Sequence, residues 1–540
     1  MKNILPIILS LILIISVNPL QAQNRDISNM SSGGKLKPLQ AIMDIRHYTI
    51  ALDVDTEEQT INGYTTIDLI LSKPTDTILF DLVHLLTVKK ITTSNKNSSF
   101  FQKGDLIYIT AEQGFQAGKQ SIKIEYGGKP PVAIRPPWSG GFSWKKDTNN
   151  NPWVAINCQF EGGKIYFPSK DHPSDEPNEG VDLFITVPKG LTVAGPGILE
   201  NTTNTKNNKT TFHWKTNYTI SNYCILFNIG KYNVFNRNYT TSAGNVVPIQ
   251  IFTLDPSKEK AKYLFDIKER DTHILEKYFG EYPWVKEKIG IAEVPNSGME
   301  HQTMITFKDS LKFTKIPGNL DYSDVYFHEF AHEWWANKIT NKDWAHMWIQ
   351  EGIATYATAL FYREAAGESG YDSIMLNFKT KIKNLKPIVQ GDELTTVEIY
   401  SGDIYTKGAF FMHTLRYVLG DNLFFPTLKQ LATDEKYTYD NFVVTDDVEK
   451  LFSSKSGKDL KPLFDFFLRT TNKLEINMTQ VSPNEYLVQS LNSPINLPVD
   501  ILTDSGTKQI MLNNKNVRIK SKTLPVIDAR GFYFKKVIML

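Results

Sequence analysis

Only two cysteines, Cys158 and Cys224, occur in 540 residues. A disulfide framework is therefore excluded, one optional bridge being the maximum, and a metal site built from thiolates is excluded by number. Neither thiol has a sequence context that would lower its pKa, which argues against a cysteine nucleophile. Excess charge of one sign is also missing: 60 Lys and Arg face 58 Asp and Glu, a formal +2. No broad electrostatic footprint for nucleic acid or an anionic membrane results, so function must reside in a local site. Long apolar runs are missing after the first. Lys2, the run Ile4 to Val17 and the stretch Leu20-Gln21-Ala22 form the pattern of a secretory leader. The run is about 14 residues long, where a membrane span needs about 20. Residues 1–22 are expected to be a signal peptide, making the protein exported, periplasmic or secreted, with no stable membrane insertion after cleavage.

What is present is globular. Hydrophobic residues make up 41% and charged residues 22%, with 31 Phe, 24 Tyr and 9 Trp to fill cores, which excludes global disorder. The length predicts several cores. From His47 to about residue 250, alternating segments such as His47–Val54 and Thr65–Leu71 read as strands, with Asn62-Gly63, Gly127–Pro130 and Asn201–Asn208 as turns. Apolar spacing then becomes helical over Lys258–Phe279, Ser323–Asn337, Met347–Ala366 (stopped by Gly367) and Tyr405–Leu419 (stopped by Gly420). Strand patterns return at Tyr486–Val488, Val499–Leu502 and Phe532–Phe534. The expected architecture is multidomain α+β: an N-terminal β domain (23–250), a mainly helical domain (251–475) and a short C-terminal β domain (476–540).

His328-Glu329-Phe330-Ala331-His332 is a HExxH pentapeptide within a helical segment. Residues four apart lie on one helix face, about one turn from each other, so the two imidazoles can share a metal. Glu329 between them can take a proton from an attacking water and return it to a leaving group. Alone, the pentapeptide is equally compatible with a chance pattern on an amphipathic helix. Glu351, 19 positions after His332, allows the first helix to end and a second to bring a third ligand. Its neighbours Trp348, Ile349, Ile353 and Ala354 are apolar, and a buried carboxylate among them calls for a partner such as a metal. Three N/O ligands with an open position suit one Zn2+ per chain.

HEFAHEWW followed by WIQEGIATY resembles the gluzincin metallopeptidases of the aminopeptidase N and leukotriene hydrolase family. Three further stretches agree in order: Ser297-Gly298-Met299-Glu300-His301 resembles the GxMEN motif, Tyr405-Thr406-Lys407-Gly408 the YxKG motif, and Cys158-Gln159-Phe160-Glu161-Gly162 within the QCxxxG segment. The resemblance runs from Asp44 to about Leu468. It implies a β saddle domain, a thermolysin-like helical catalytic domain, and a zinc aminopeptidase acting on peptides with a free N-terminus. It further implies that Glu300, with Gln159, holds the substrate ammonium. Gly298 and Met299 line the channel, Tyr405 donates to the oxyanion, and Tyr400 lines the channel without being a catalyst. Departures are His301 for the usual Asn, Ser297 for Gly, Gln350 before the ligand Glu, and His346. Both histidines are expected to pack locally or to bond behind the ligands. A hydrolase of a non-peptide substrate and a non-catalytic peptide- or zinc-binding protein stay open as alternatives. Residues 476–540 are too few for the large helical domain that roofs the site in many relatives, so a more open cleft is expected unless an oligomeric partner or the β tail covers it.

Overall fold

The computed structural model describes residues 30–95, 97–308 and 312–539; the expected leader lies outside them. Alternation builds the first layer. Met43–Asp55 buries every second side chain along most of its length, the signature of a strand with one face on a core. It pairs antiparallel with Thr60–Leu71 and parallel with Val181–Pro188 in a seven-stranded sheet. Asn62 and Gly63, expected as a turn, instead lie in the ladder opposite Asp53 and Leu52. The chain reverses just before them, where Gln59 adopts φ +56°. A smaller four-stranded sheet contains Pro152–Asn157, which leads directly into Gln159.

Residue 250 is not a boundary between layers. It lies in Val246–Thr253, which pairs antiparallel with Asn233–Thr240 and parallel with Ile289–Val294, itself parallel to Ile305–Lys308. This sheet underlies the helices, so the helical half begins structurally before the expected position. Ile289–Val294 is buried at all six residues, as a central parallel strand covered on both faces must be. The parallel crossover is made by α1 (Ala261–Phe279). Among the described residues the other α-helices are α2 (Asp324–Ala331), α3 (Trp348–Lys381), α4 (Thr396–Ile399), α5 (Gly402–Leu419), α6 (Asp421–Thr433), α7 (Thr445–Ser456) and α8 (Lys461–Leu468).

Two helices depart from expectation. α2 stops at Ala331, short of Asn337, and gives way to a wide turn in which Trp335 and Ala336 are non-helical. In α3 the chain breaks at Ala366–Gly367, as the glycine suggests, but resumes as helix to Lys381. The C-terminal strands begin at Leu474, but Phe532–Phe534 is not one of them. Phe532 instead stacks on Tyr417 of α5 with ring centres 3.9 Å apart. Arg530 pairs with Asp372 of α3 at 2.7 Å, so the tail packs against α3 and α5.

A short strap at the start of the described chain ties the two walls of the site together. The Ser32 amide donates to the Phe160 carbonyl (2.7 Å), and the Thr396 amide donates to the Ser32 carbonyl (3.1 Å). The Thr396 hydroxyl also donates to the Phe160 carbonyl, at 2.7 Å. The Gln159–Phe160 loop is thereby fixed to α4, immediately before Tyr400. Among the described residues, no helix is long and apolar enough to cross a membrane.

Candidate active site

α2 carries His328, His332 caps its C-terminal end on the same face, and Glu351 sits in the first turn of α3. The two Nε2 atoms are 3.1 Å apart, and they lie 3.4 and 3.3 Å from Glu351 Oε2. His332 Nδ1 faces the Trp335 carbonyl at 2.7 Å; a carbonyl only accepts, so Nδ1 carries a hydrogen and Nε2 is the ring atom left to ligate. The early end of α2 thus has a purpose. Its turn, with Ala336 at φ +147°, brings the Trp335 carbonyl back onto the imidazole. Asn337, in the same turn, donates to the Glu300 carbonyl at 2.8 Å.

The trio fits a cation. Two imidazole nitrogens and a carboxylate oxygen face one point, and Glu351 Oε2 is buried without a well-formed hydrogen bond. Burial opposes charge on His332, yet Glu351 outweighs it and pushes the imidazole up to about 10. Burial likewise disfavours the Glu351 charge, but His332 and His328 hold its carboxyl well below the usual range. A cluster with this appetite for positive charge, made of N/O donors, suits a divalent ion of the zinc type.

Around the trio lies a cleft of about 360 Å³, lined among others by Gln159, Gly298, Met299, Glu300, Glu329 and Tyr405. Every expected site residue is therefore brought together. Glu300 is 2% exposed, and its Oε1 accepts from Gln159 Nε2 at 2.7 Å and from the Tyr223 hydroxyl at 2.9 Å. Gln159 Nε2 also reaches Glu351 Oε1 at 3.4 Å. One amide thus joins the Glu300 carboxylate to the metal-ligand set. Burial raises the Glu300 carboxyl, with Glu351 adding to the effect. Glu329 is raised further by burial, Glu300 and Glu351; a cation held by the trio acts in the opposite sense. Met299 bridges to Thr306, setting the Gly298–Glu300 wall against the sheet. At Gly298 a methyl would lie 2.7 Å from Val325 Cγ1 and 3.2 Å from Glu329 Cγ, so glycine there keeps the Glu329 side chain clear.

Neither departing histidine is a ligand. His346 bonds Thr445 through Nδ1 at 2.9 Å, and His301 is 2% exposed with neither ring nitrogen hydrogen-bonded. Cys158 and Cys224 are both free and buried. Sequence reasoning missed Tyr223, the Trp335 carbonyl, Asn337 and Trp138, which lines the cleft; Trp335 ends the HEFAHEWW stretch, but nothing there marks its carbonyl, the other three belong to no motif, and only tertiary packing delivers them. Among the described residues none beyond Thr406 lines the cleft, so the C-terminal strands do not form its roof.

Two imidazoles on one helix and a glutamate on the next, set behind a β domain, place the protein in the two-histidine, one-glutamate class of metallohydrolase folds. Residues 45–224 match the peptidase M1 N-terminal domain and residues 263–467 the peptidase family M1 domain. The chain belongs to the peptidase M1 family. It is 23% identical over 470 residues to a puromycin-sensitive aminopeptidase of Caenorhabditis elegans, covering 81% of this chain and 47% of that protein. A leucyl aminopeptidase of Saccharolobus solfataricus is 23% identical over 447 residues, covering 78% and 53%. The chain thus spans about half the length of these curated relatives. In fold it is similar to an M1 zinc metallopeptidase of Deinococcus radiodurans, solved as a mutant bound to a Tyr-Ser-Ala substrate. The TM-score is 0.67 at 21% identity, covering 82% of this chain and 96% of that one.

Proposed function

We propose that the protein is a zinc-dependent aminopeptidase that releases N-terminal residues from peptides. The observation that carries this reading is the Gln159 amide bridging Glu300 and Glu351, at 2.7 and 3.4 Å. A buried carboxylate suited to an ammonium lies one side chain from a metal ligand, which leaves room for a single residue before the bond that is cut. His328, His332 and Glu351 would hold the ion. Bound there, zinc supplies a Lewis acid that polarises a carbonyl oxygen and acidifies water.

The protein's own groups do the rest. Glu300 receives the free α-ammonium in a charge-assisted bond, and an internal peptide bond would leave that buried carboxylate unpaired. Glu329 takes a proton from the attacking water and later gives it to the leaving amine. Tyr405 donates its hydroxyl hydrogen to the carbonyl oxygen as charge develops. Burial, Glu351 and Tyr400 push that phenol well above its ordinary value, so the proton stays in place at neutral pH. The leader-like residues 1–22 support action outside the cytoplasm; a full-length chain retained in the cytosolic fraction of its host would contradict that.

The test is Glu300→Ala. One charged hydrogen bond is worth about 1.5–3 kcal/mol, or about 10- to 150-fold. The variant should lose that much kcat/KM on free-amine peptides and lose the preference over acetylated ones. An unchanged preference places amine recognition elsewhere.

A further inference from the structure

Tyr405 shares a hydrogen bond with Tyr400, the hydroxyl oxygens being 3.2 Å apart. Tyr400 in turn accepts from Trp138 Nε1 at 2.9 Å. Indole N–H can only donate, so the first link has a fixed direction. The second has two possible directions. If Tyr405 donated to Tyr400, the Tyr400 hydrogen would be the one left for the cleft and the Tyr405 hydrogen would point away from substrate. If Tyr400 donates to Tyr405, the Tyr405 hydrogen is the one left for the cleft, which is the arrangement an oxyanion donor needs.

The rings are held for this purpose. Phe160 packs edge-on against Tyr400 at 4.6 Å, with planes at 65°. Tyr400 meets Tyr405 at 6.0 Å and 78°, and Tyr405 lies 5.8 Å from the His328 ring. Trp138 and Phe160 come from the β domain, whereas both tyrosines belong to the helical half. Trp138 is 45% exposed, at the rim of the cleft, with the Arg135 guanidinium 5.0 Å from its ring centre.

We propose that Trp138 and Tyr400 are positioning residues that act through Tyr405. Trp138 orients the Tyr400 hydroxyl, which donates to the Tyr405 oxygen and so turns the Tyr405 hydrogen toward the developing oxyanion. The proposal rests on the aminopeptidase reading for its substrate. It makes the β domain a contributor to chemistry as well as to amine binding.

A double-mutant cycle tests it. Tyr405→Phe should lower kcat by about 10²- to 10³-fold, as loss of an oxyanion donor does. Tyr400→Phe should lower kcat by about 10-fold with KM within twofold, the size of one mis-set hydrogen bond. Trp138→Phe, which keeps a ring but removes the donor, should move kcat in the same direction by less. In the Tyr405→Phe background, Tyr400→Phe should cause no further loss, because the effect passes through the missing hydroxyl. Additive losses, an effect carried by KM, or a parent-like Tyr400→Phe kcat overturns the relay. Calorimetric affinity for an α-aminophosphonate, a tetrahedral oxyanion mimic, reads the same cycle without turnover. About tenfold weaker binding by Tyr400→Phe is expected, and equal binding overturns the proposal. A parent protein that cleaves no peptide yet binds the phosphonate as predicted contradicts the aminopeptidase reading and not the relay.

Discussion

Replacing Gly408 by Ala probes how the catalytic groups are spaced. α3 and α5 cross where Gly352 meets Gly408. A methyl on Gly408 would lie 2.9 Å from Gly352 Cα and 3.6 Å from the Trp348 carbonyl oxygen. Non-bonded carbons rest about 3.5–4.0 Å apart, so the helices must separate by roughly 0.6–1 Å. Glu351 immediately precedes Gly352, and Tyr405 lies about one turn before Gly408, so the separation displaces the phenol from the metal ligand. A misplacement of about 1 Å can cost about 100-fold in rate. The stability effect is smaller. Overpacking costs about 1–3 kcal/mol, offset by about 1 kcal/mol from replacing a helical glycine with alanine. The ligands reside on α2 and α3, so zinc content should match the parent, while kcat on an aminoacyl anilide falls about 100-fold and the thermal midpoint moves by a few degrees. A folded, zinc-loaded Gly408→Ala protein with kcat within threefold of the parent would refute the spacing argument.

Two other substitutions test separate parts of the account. Glu329→Gln should keep one zinc per chain by elemental analysis and lose about 10²- to 10⁴-fold in kcat, the range for a general base; loss of metal instead would make Glu329 structural. His301→Asn addresses pH. Burial alone holds the His301 imidazole near 3, below its ordinary value of about 6.5. The fold therefore refuses a proton that the unfolded chain accepts, and His301's contribution is fully present above pH 6.5 and lost as pH falls toward 3. Measured by urea unfolding, the parent should lose stability relative to His301→Asn by about 1.4 kcal/mol per pH unit below 6.5. A difference that does not change with pH contradicts a buried neutral histidine.

The groups legible in sequence were those fixed by helical repeat. His328 and His332 share a face because four residues make about one turn, and the apolar neighbours of Glu351 announced a carboxylate in need of a partner. Glu300, Gln159 and Tyr405 were reached through motifs, and all three line the cleft. What escaped depends on where separate segments meet. Nothing near His332 says that α2 will unwind at Trp335 to turn a carbonyl onto it, because helix propensity there is ordinary and the kink is held by buried contacts such as Asn337 to the Glu300 carbonyl. Tyr223 reaches Glu300 across 77 positions and Trp138 reaches Tyr400 across 262. The Gly352–Gly408 crossing is likewise invisible until both helices are placed. Pattern misleads where a turn-forming pair sits inside a ladder, as at Asn62-Gly63, and where an aromatic cluster packs on a helix without being a strand, as at Phe532–Phe534. Phe532 instead serves as a wedge on Tyr417.

The claim at the centre is that a buried carboxylate beside a zinc trio makes an exopeptidase. Its most direct test is mass-spectrometric digestion of one peptide, offered with a free and with an acetylated N-terminus, by the zinc-loaded protein. Stepwise loss of single residues from the free form, with the acetylated form intact, is the predicted result. Equal cleavage of both forms, or cuts in the interior, would contradict it.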